Sequence, residues 1–170
     1  LHTQRRRQRQ MCIRDRGNML LKGELDVVID TLFPIGGQIL NQKLCDEYFV
    51  LVCGNQHPII DDPSLENYLS HRHVVASLRH SEVSLVDTAL TRYQKQRDVA
   101  LRCENFYAAI RVVSEGEFIM TMPKAYARQL QQHMPITILP LPYEVPPLPV
   151  YMYWAESTHQ DPFNQWIRKQ

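Results

Sequence analysis

Three kinds of side chain in this 170-residue sequence could do chemistry. Histidines come first: His71-x-His73, with His80 nearby, has the residue types of a zinc site. Alternate strand positions point the same way only if both lie within the strand, and His71 precedes one. No fourth ligand stands at a recognisable spacing, so a structural or surface role is expected and no metal. Cysteines come second. Cys53 and Cys103 sit in apolar runs, where a thiol is usually inert packing. With no C-x-x-C, the cysteines offer neither a disulfide framework nor a zinc signature, and reduced cytoplasmic thiols are the simplest reading. The third kind is a scatter of short polar donors: Thr31, Ser77, Ser81, Asn105 and Thr121, flanked by Leu78, Arg79, His80 and Phe106. No G-x-S-x-G, H-E-x-x-H, P-loop or dinucleotide G-x-G-x-x-G accompanies them, so no catalytic residue, no cofactor and no enzyme activity are expected.

The elements that would position these donors alternate strand and helix. "LLKGE" reads as a helix end with Gly23 as its stop, and "DVVID" (26–30) as a short strand. "EYFVLVC" (47–53) is a continuous apolar strand, buried on both faces. Ser64 caps a short helix through Leu69, and "HVVAS" (73–77) is the next strand. Ser81 then caps a helix whose stripe is Val83, Val86, Ala89, Leu90 and Tyr93. "VALRC" (99–103) precedes a helix capped by Asn105 and ended by Gly116, with Phe106, Ala109, Ile110 and Val113 on one face. "FIMTM" (118–122) leads through Pro123, at a first helical turn, into a helix carrying Tyr126, Ala127 and Leu130. "ITILPLP" and "PVYMYW" flank the Pro-rich turn "EVPPLP", and Asp161-Pro162 opens a last helix with Phe163, Trp166 and Ile167 on one side. This order implies parallel-rich sheets covered by helices.

In such sheets ligands bind outside the carboxyl ends of strands. Those ends are Asp30-Thr31, Ser77-Leu78, Cys103 to Phe106 and Met120 to Met122. Three of them run into helix N-termini, whose free N–H groups and dipole favour a carboxylate or other anion. Ser77, Ser81, Asn105 and Thr121 add donors, Arg79 and His80 add charge, and Leu78 and Phe106 could cover an aromatic ring. Each has a second reading: Ser81 and Asn105 as plain caps, Thr121 as an ordinary strand residue, Phe106 as core, Arg79 as solvated.

The N-terminus raises a different question. Six of the 19 basic residues, Arg5, Arg6, Arg7, Arg9, Arg14 and Arg16, lie in the first 16 positions, opposed only by Asp15. This could be a basic arm for nucleic acid or a solvated tail. Back-translation supports a third reading. Met-Cys-Ile-Arg-Asp-Arg can be written ATG TGT ATA AGA GAC AGR, and Arg6 to Gln10 CGT CGG CAG CGT CAG, an in-frame likeness to the transposon-end adapter of sequencing libraries. Residues 1–16 are therefore read as adapter-derived, and the native part as a fragment from about Gly17. That part has formal charge −4, against +1 for the whole, so the case for a nucleic-acid surface on it disappears. No apolar run approaches the roughly 18 residues of a membrane span, and no secretory h-region is present.

The native part resembles a known family. "LLKGELDVVI", "VLVCGNQHP", "VVSEGEFIMTMPKAYA", "ITILPLP" and "VYMYWAESTHQDPFNQWIRKQ" follow in an order similar to the effector-binding domain of LysR-type transcriptional regulators. The landmarks are "GELD", "HP", S-E-G-x-x-I-x-x-x-P and "LPLP". "HVVAS", "VDTAL" and "DPFNQWIR" resemble the branch that senses flavonoids and aromatic acids. The resemblance implies an α/β, two-lobed, periplasmic-binding-protein-like fold: an incomplete first lobe over 17–51 and 138–170, and a second over 52–137. It implies a small organic effector, an aromatic acid foremost, bound between the lobes. It further implies a homodimer or homotetramer in the cytoplasm, and DNA contact only through an absent winged helix-turn-helix. The alternative is a periplasmic solute-binding protein of the same architecture.

Overall fold

The computed structural model describes residues 13–31, 36–76 and 84–170. They form a mixed α/β structure in two compact units, divided at Asp46/Glu47 and at Leu148/Pro149.

The first unit is built on a three-stranded sheet, order β1-β8-β2, from β1 (Val28–Thr31), β2 (Ile39–Glu47) and β8 (Leu148–Ala155). β1 and β8 are antiparallel, with Val28 opposite Tyr153 and Thr31 opposite Val150. Helix α1 (Ile13–Leu21) ends as its sequence requires. Gly23 takes φ +70°, its N–H donates to Leu20 O and that of Glu24 to Met19 O. Those two bonds satisfy carbonyls that the helix end would orphan, in a backbone conformation that suits glycine. Leu20, Val28, Ile39 and Tyr153 make the core. β2 escaped the sequence reading because "ILNQKLCDE" lies on a sheet edge with mostly exposed residues, so no apolar run marks it. Helix α6 (Pro162–Ile167) is capped by Asp161 as expected, but its apolar residues are not its anchor. Phe163 and Trp166 are 54% and 58% exposed, while the buried residue is Asn164, whose Nδ2 donates to Asp26 O and Thr158 Oγ1.

The second unit carries a five-stranded sheet, order β5-β4-β6-β3-β7. Its strands are β3 (Phe49–Gly54), β4 (Arg72–Ala76), β5 (Asp98–Cys103), β6 (Ile119–Pro123) and β7 (Ile136–Leu139). β4 runs parallel to β5 and β6, whereas β3 is antiparallel to β6 and β7. In this sheet β4, β5, β6 and β7 share one direction and β3 runs against them: strand–helix–strand order sets the direction of β4, β5 and β6, and the earlier β3 enters from the opposite end. A division at 51/52 and 137/138 would cut β3 and β7, and both lie whole in this unit because they pair with each other.

Alternation along the strands separates two cores. Val50, Val52, Met120 and Met122 face α4 (Phe106–Glu115) and α5 (Lys124–Gln131) through Ala109, Ile110, Val113, Ala127 and Leu130. Leu51, Cys53 and Ile119 face α2 (Leu65–Ser70) and α3 (Leu85–Thr91) through Tyr68, Val86, Ala89 and Leu90. Gly54 ends β3 where α4 comes closest: a Cβ there would stand 3.2 Å from Ser114 O and 3.3 Å from Val113 O.

Two caps differ from expectation. The cap of α3 is Ser84, whose Oγ accepts from Asp87 N at 3.1 Å and donates to Asp87 Oδ2 at 2.8 Å. The acidic partner three residues on belongs to Ser84, and Ser81 lies outside the described residues. Pro123 ends β6 and stands as the cap residue of α5, one position before the first turn. Ser64 and Asn105 cap α2 and α4 as read from the sequence.

Candidate functional site

The carboxyl ends of β4, β5 and β6 lie along one edge of the second unit's sheet. Ala76 pairs with Cys103, and the β4–β6 register, Val74 with Met120, carries Ala76 to the level of Met122. β3 begins at this edge, with Phe49 opposite Pro123. Of the predicted site residues, Ser77, Leu78, Arg79, His80 and Ser81 lie outside the described residues. Four are placed.

Asn105 and Phe106 stand together at the start of α4. Asn105 Oδ1 accepts from Ala108 N at 2.8 Å, which is its capping bond. The Phe106 ring packs on the core beneath α4 and α5, edge-on to Tyr126 with centroids 5.5 Å apart. Thr121 is on the opposite face of the sheet, since Met120 and Met122 on either side of it take the α4 face. Its Oγ1 lies 2.8 Å from Tyr68 Oη, which lies 3.2 Å from Tyr143 Oη. The structure therefore pairs Asn105 with Phe106 and sets Thr121 apart from both. Thr31 is in the first unit, at the end of β1; its N–H donates to Asp30 Oδ1 at 2.8 Å and its carbonyl accepts from Tyr153 Oη at 3.2 Å. The Asp30 carboxylate also pairs with the Arg16 guanidinium.

Behind Thr121 lies a buried polar cluster that the sequence did not advertise. Arg97 donates to Asp87 Oδ1 through Nε at 2.8 Å, with a second guanidinium nitrogen at 2.7 Å. His73 Nε2 lies 3.0 Å from the Tyr68 carbonyl, so the neutral ring donates there. Burial, reinforced by the Arg97 charge, pushes the His73 pKa down to about 4. Burial, then the neighbouring Tyr68 hydroxyl, pushes the Tyr143 phenol well above its ordinary range. All of these groups are neutral or paired at pH 7, so the cluster sets geometry and holds no proton ready for chemistry. Tyr68 was legible only as one apolar position of a short helix. Asp87 is on α3 and Arg97 ten residues later in the connection before β5, with no spacing rule to join them.

His71 and His73 turn to different partners, and His80 lies outside the described residues. His71 stands edge-on to His57, centroids 4.6 Å apart, whereas His73 turns to Tyr68. His57 Nδ1 accepts from Ile59 N at 3.1 Å, capping a short 3-10 turn. Among the described residues no three His, Cys, Asp or Glu side chains group to hold an ion. Cys53 is buried, and desolvation pushes its thiol up to about 11, too high for a nucleophile.

At the edge where β6 ends, a groove of about 510 Å³ is lined by Tyr48, Phe49, Arg92, Lys124, Tyr143 and Glu144, with the Pro-rich segment 140–147 along one side. Aromatic walls with two cations and one carboxylate suit a small organic anion better than a cation.

Comparison with known proteins agrees with this architecture. Residues 14–170 match the LysR substrate binding domain family. The chain is 27% identical over 154 residues to the HTH-type transcriptional activator NahR of Pseudomonas putida, covering 88% of this chain and 50% of that protein. The regulatory domain of MexT, a transcriptional activator in Pseudomonas aeruginosa, superimposes with TM-score 0.78 at 19% identity, covering 91% of this chain and 74% of that one. The effector binding domain of QuiR in complex with shikimate gives 0.69 at 18%, covering 89% and 72%. These two likenesses show the fold. The chain spans about half the length of the curated relatives it matches. With the family match running through nearly all the described elements, the chain belongs to the LysR substrate-binding-domain family.

Proposed function

We propose that this chain is the effector-sensing and oligomerising part of a LysR-type DNA-binding transcriptional regulator that works in the cytoplasm. The observation that carries this is the family match over 14–170, in a chain whose curated relatives are named as transcriptional regulators and nodulation proteins rather than enzymes or transport proteins. Among the described residues no helix is long and apolar enough to cross a membrane. The periplasmic alternative has no comparable support.

The ligand is a small organic acid, an aromatic one foremost, held at the strand ends of the second unit. Thr121 and Asn105 are its described donors, with Phe106 bordering the α4 side; Ser77, Leu78, Arg79, His80 and Ser81, expected there from the sequence, lie outside the described residues. The QuiR domain, solved with shikimate, is a precedent for an acidic ligand on this fold. Effector binding shifts the population of two conformations and with it the geometry of a homodimer or homotetramer. DNA contact belongs to another part of the full-length regulator, because residues 17–170 carry a net negative charge. Residues 1–16 are adapter-derived, and sequencing the genomic locus across codon 17 tests that.

The test of function is calorimetry and operator binding by the full-length regulator against shikimate, benzoate and salicylate. A saturable heat and a ligand-dependent change in operator affinity are expected. Operator binding indifferent to every acid in the panel would sink the reading.

A further inference from the structure

Thr121, Tyr68 and Tyr143 put three hydroxyls in a row, spaced 2.8 Å and 3.2 Å. Three hydroxyls carry three protons, and two hydrogen bonds use two of them. Where the third proton points decides what the row offers to a ligand.

Three arrangements are possible. If Thr121 and Tyr143 both donate to Tyr68, the Tyr68 proton is left over inside the core, for Tyr68 is fully buried. A stranded donor in that setting is unfavourable. If the order runs Thr121 to Tyr68 to Tyr143, the spare proton sits on Tyr143, which is 7% exposed and has no other hydrogen-bond partner among the described residues. The Asp87 carboxylate is already engaged, Oδ1 by Arg97 and Oδ2 by Ser84 Oγ. The third order, Tyr143 to Tyr68 to Thr121, leaves the spare proton on Thr121. Thr121 is the half-buried end of the row, with no acceptor of its own among the described residues.

We infer that Tyr143 and Tyr68 set Thr121 Oγ1 as a fixed hydrogen-bond donor, so that its site selects a ligand oxygen that accepts, a carboxylate or a carbonyl, over a ligand group that donates. Tyr68 and Tyr143 are positioning residues. Tyr143 lies in the connection between β7 and β8, so the same row ties that connection to the strand-end donor. The ligand half of this inference rests on the proposed function, whereas the order of the hydroxyls does not.

Hydroxyl exchange tests the order directly. The chain, labelled with 13C at tyrosine Cζ, shows in mixed H2O and D2O whether each phenolic proton exchanges slowly. Tyr68 and Tyr143 are both expected to be slow. Thr121→Val removes the Tyr68 acceptor and should speed Tyr68 exchange at least about tenfold while Tyr143 stays slow, and Thr121→Ser should restore the slow Tyr68 signal. Tyr68 exchange unaltered in Thr121→Val would overturn the order, because in the reverse arrangement Tyr68 keeps its acceptor. Benzoate titration tests the ligand half: Thr121→Val should weaken binding about tenfold and Thr121→Ser much less. Benzoate affinity equal in the wild type and Thr121→Val overturns Thr121 as a ligand contact and leaves the hydroxyl order standing. The exchange result decides the order whether or not benzoate binds.

Discussion

Asp87 and Arg97 share one ion pair, and cutting it from either end should have unequal costs. The Arg97 side chain is 3% exposed and that of Asp87 38%. Asp87→Ala leaves a guanidinium in the core with no carboxylate to answer it. Arg97→Met leaves a carboxylate that water reaches and that Ser84 Oγ still holds. Removing one partner of a buried pair costs about 3–5 kcal/mol when the survivor stays buried. Asp87→Ala should fall at the low end, about 3 kcal/mol, because Asp87 itself is partly hydrated before the change. Arg97→Met should cost about 1 kcal/mol, since a hydrated carboxylate loses little and a flexible thioether refills the space. The double variant should be more stable than Asp87→Ala alone, as the stranded charge is then gone. Urea unfolding at pH 7 measures this, followed by the near-ultraviolet circular dichroism of the tyrosines. Tryptophan fluorescence would report the wrong unit, for both Trp154 and Trp166 lie in the first. An Arg97→Met cost equal to or above that of Asp87→Ala would refute the reasoning from unequal burial.

Other expectations follow from the same geometry. The folded state holds the His73 pKa down to about 4, so below about pH 6.5 the unfolded chain takes up a proton that the folded chain refuses. Stability should fall by up to about 3 kcal/mol between pH 6.5 and 4 and level off below, and His73→Gln should flatten that part of the profile. Parallel profiles for the two chains would assign the loss to another group. Ser84→Ala should cost about 1 kcal/mol in the same urea assay, and Ser81→Ala only a few tenths, because Ser84 holds the cap of α3. Equal effects would put the start of α3 earlier. Any affinity of the present chain for random duplex DNA should vanish, in a gel-shift assay at low salt, on deletion of residues 1–16. Affinity that survived would place a DNA contact within the family domain.

Much of the fold was readable from local rules, and the failures share a cause. Ser64, Asn105 and Asp161 cap their helices because a short oxygen-bearing side chain before an apolar stripe satisfies orphan N–H groups wherever the helix later docks. Gly23 stops α1 for a reason held within five residues. β3 showed itself by an apolar run, since both its faces are covered. By contrast β2, an exposed edge strand, has a ladder of backbone bonds but no apolar signature. Phe163 and Trp166 looked like the buried side of α6, whereas Asn164 anchors it by hydrogen bonds to Asp26 and Thr158, of which only the first is remote in sequence.

The candidate site divides in the same way. The expectation of a strand-end site with short polar donors came from residue type and element order, and the landmarks of the family were legible in the sequence alone. The sequence also determined that residues 17–170 carry a net negative formal charge. Only the tertiary structure decided that Thr121 and Phe106 lie on opposite faces of one sheet, and that Thr121 ends a row of hydroxyls reaching back to Tyr143. Only it joined Arg97 to Asp87 and turned His73 toward Tyr68 rather than toward His71. The physical reason is range. Caps, turns and strand polarity are set by bonds within a few residues, whereas side-chain partners 10 to 75 residues apart meet only after register and layer order are settled.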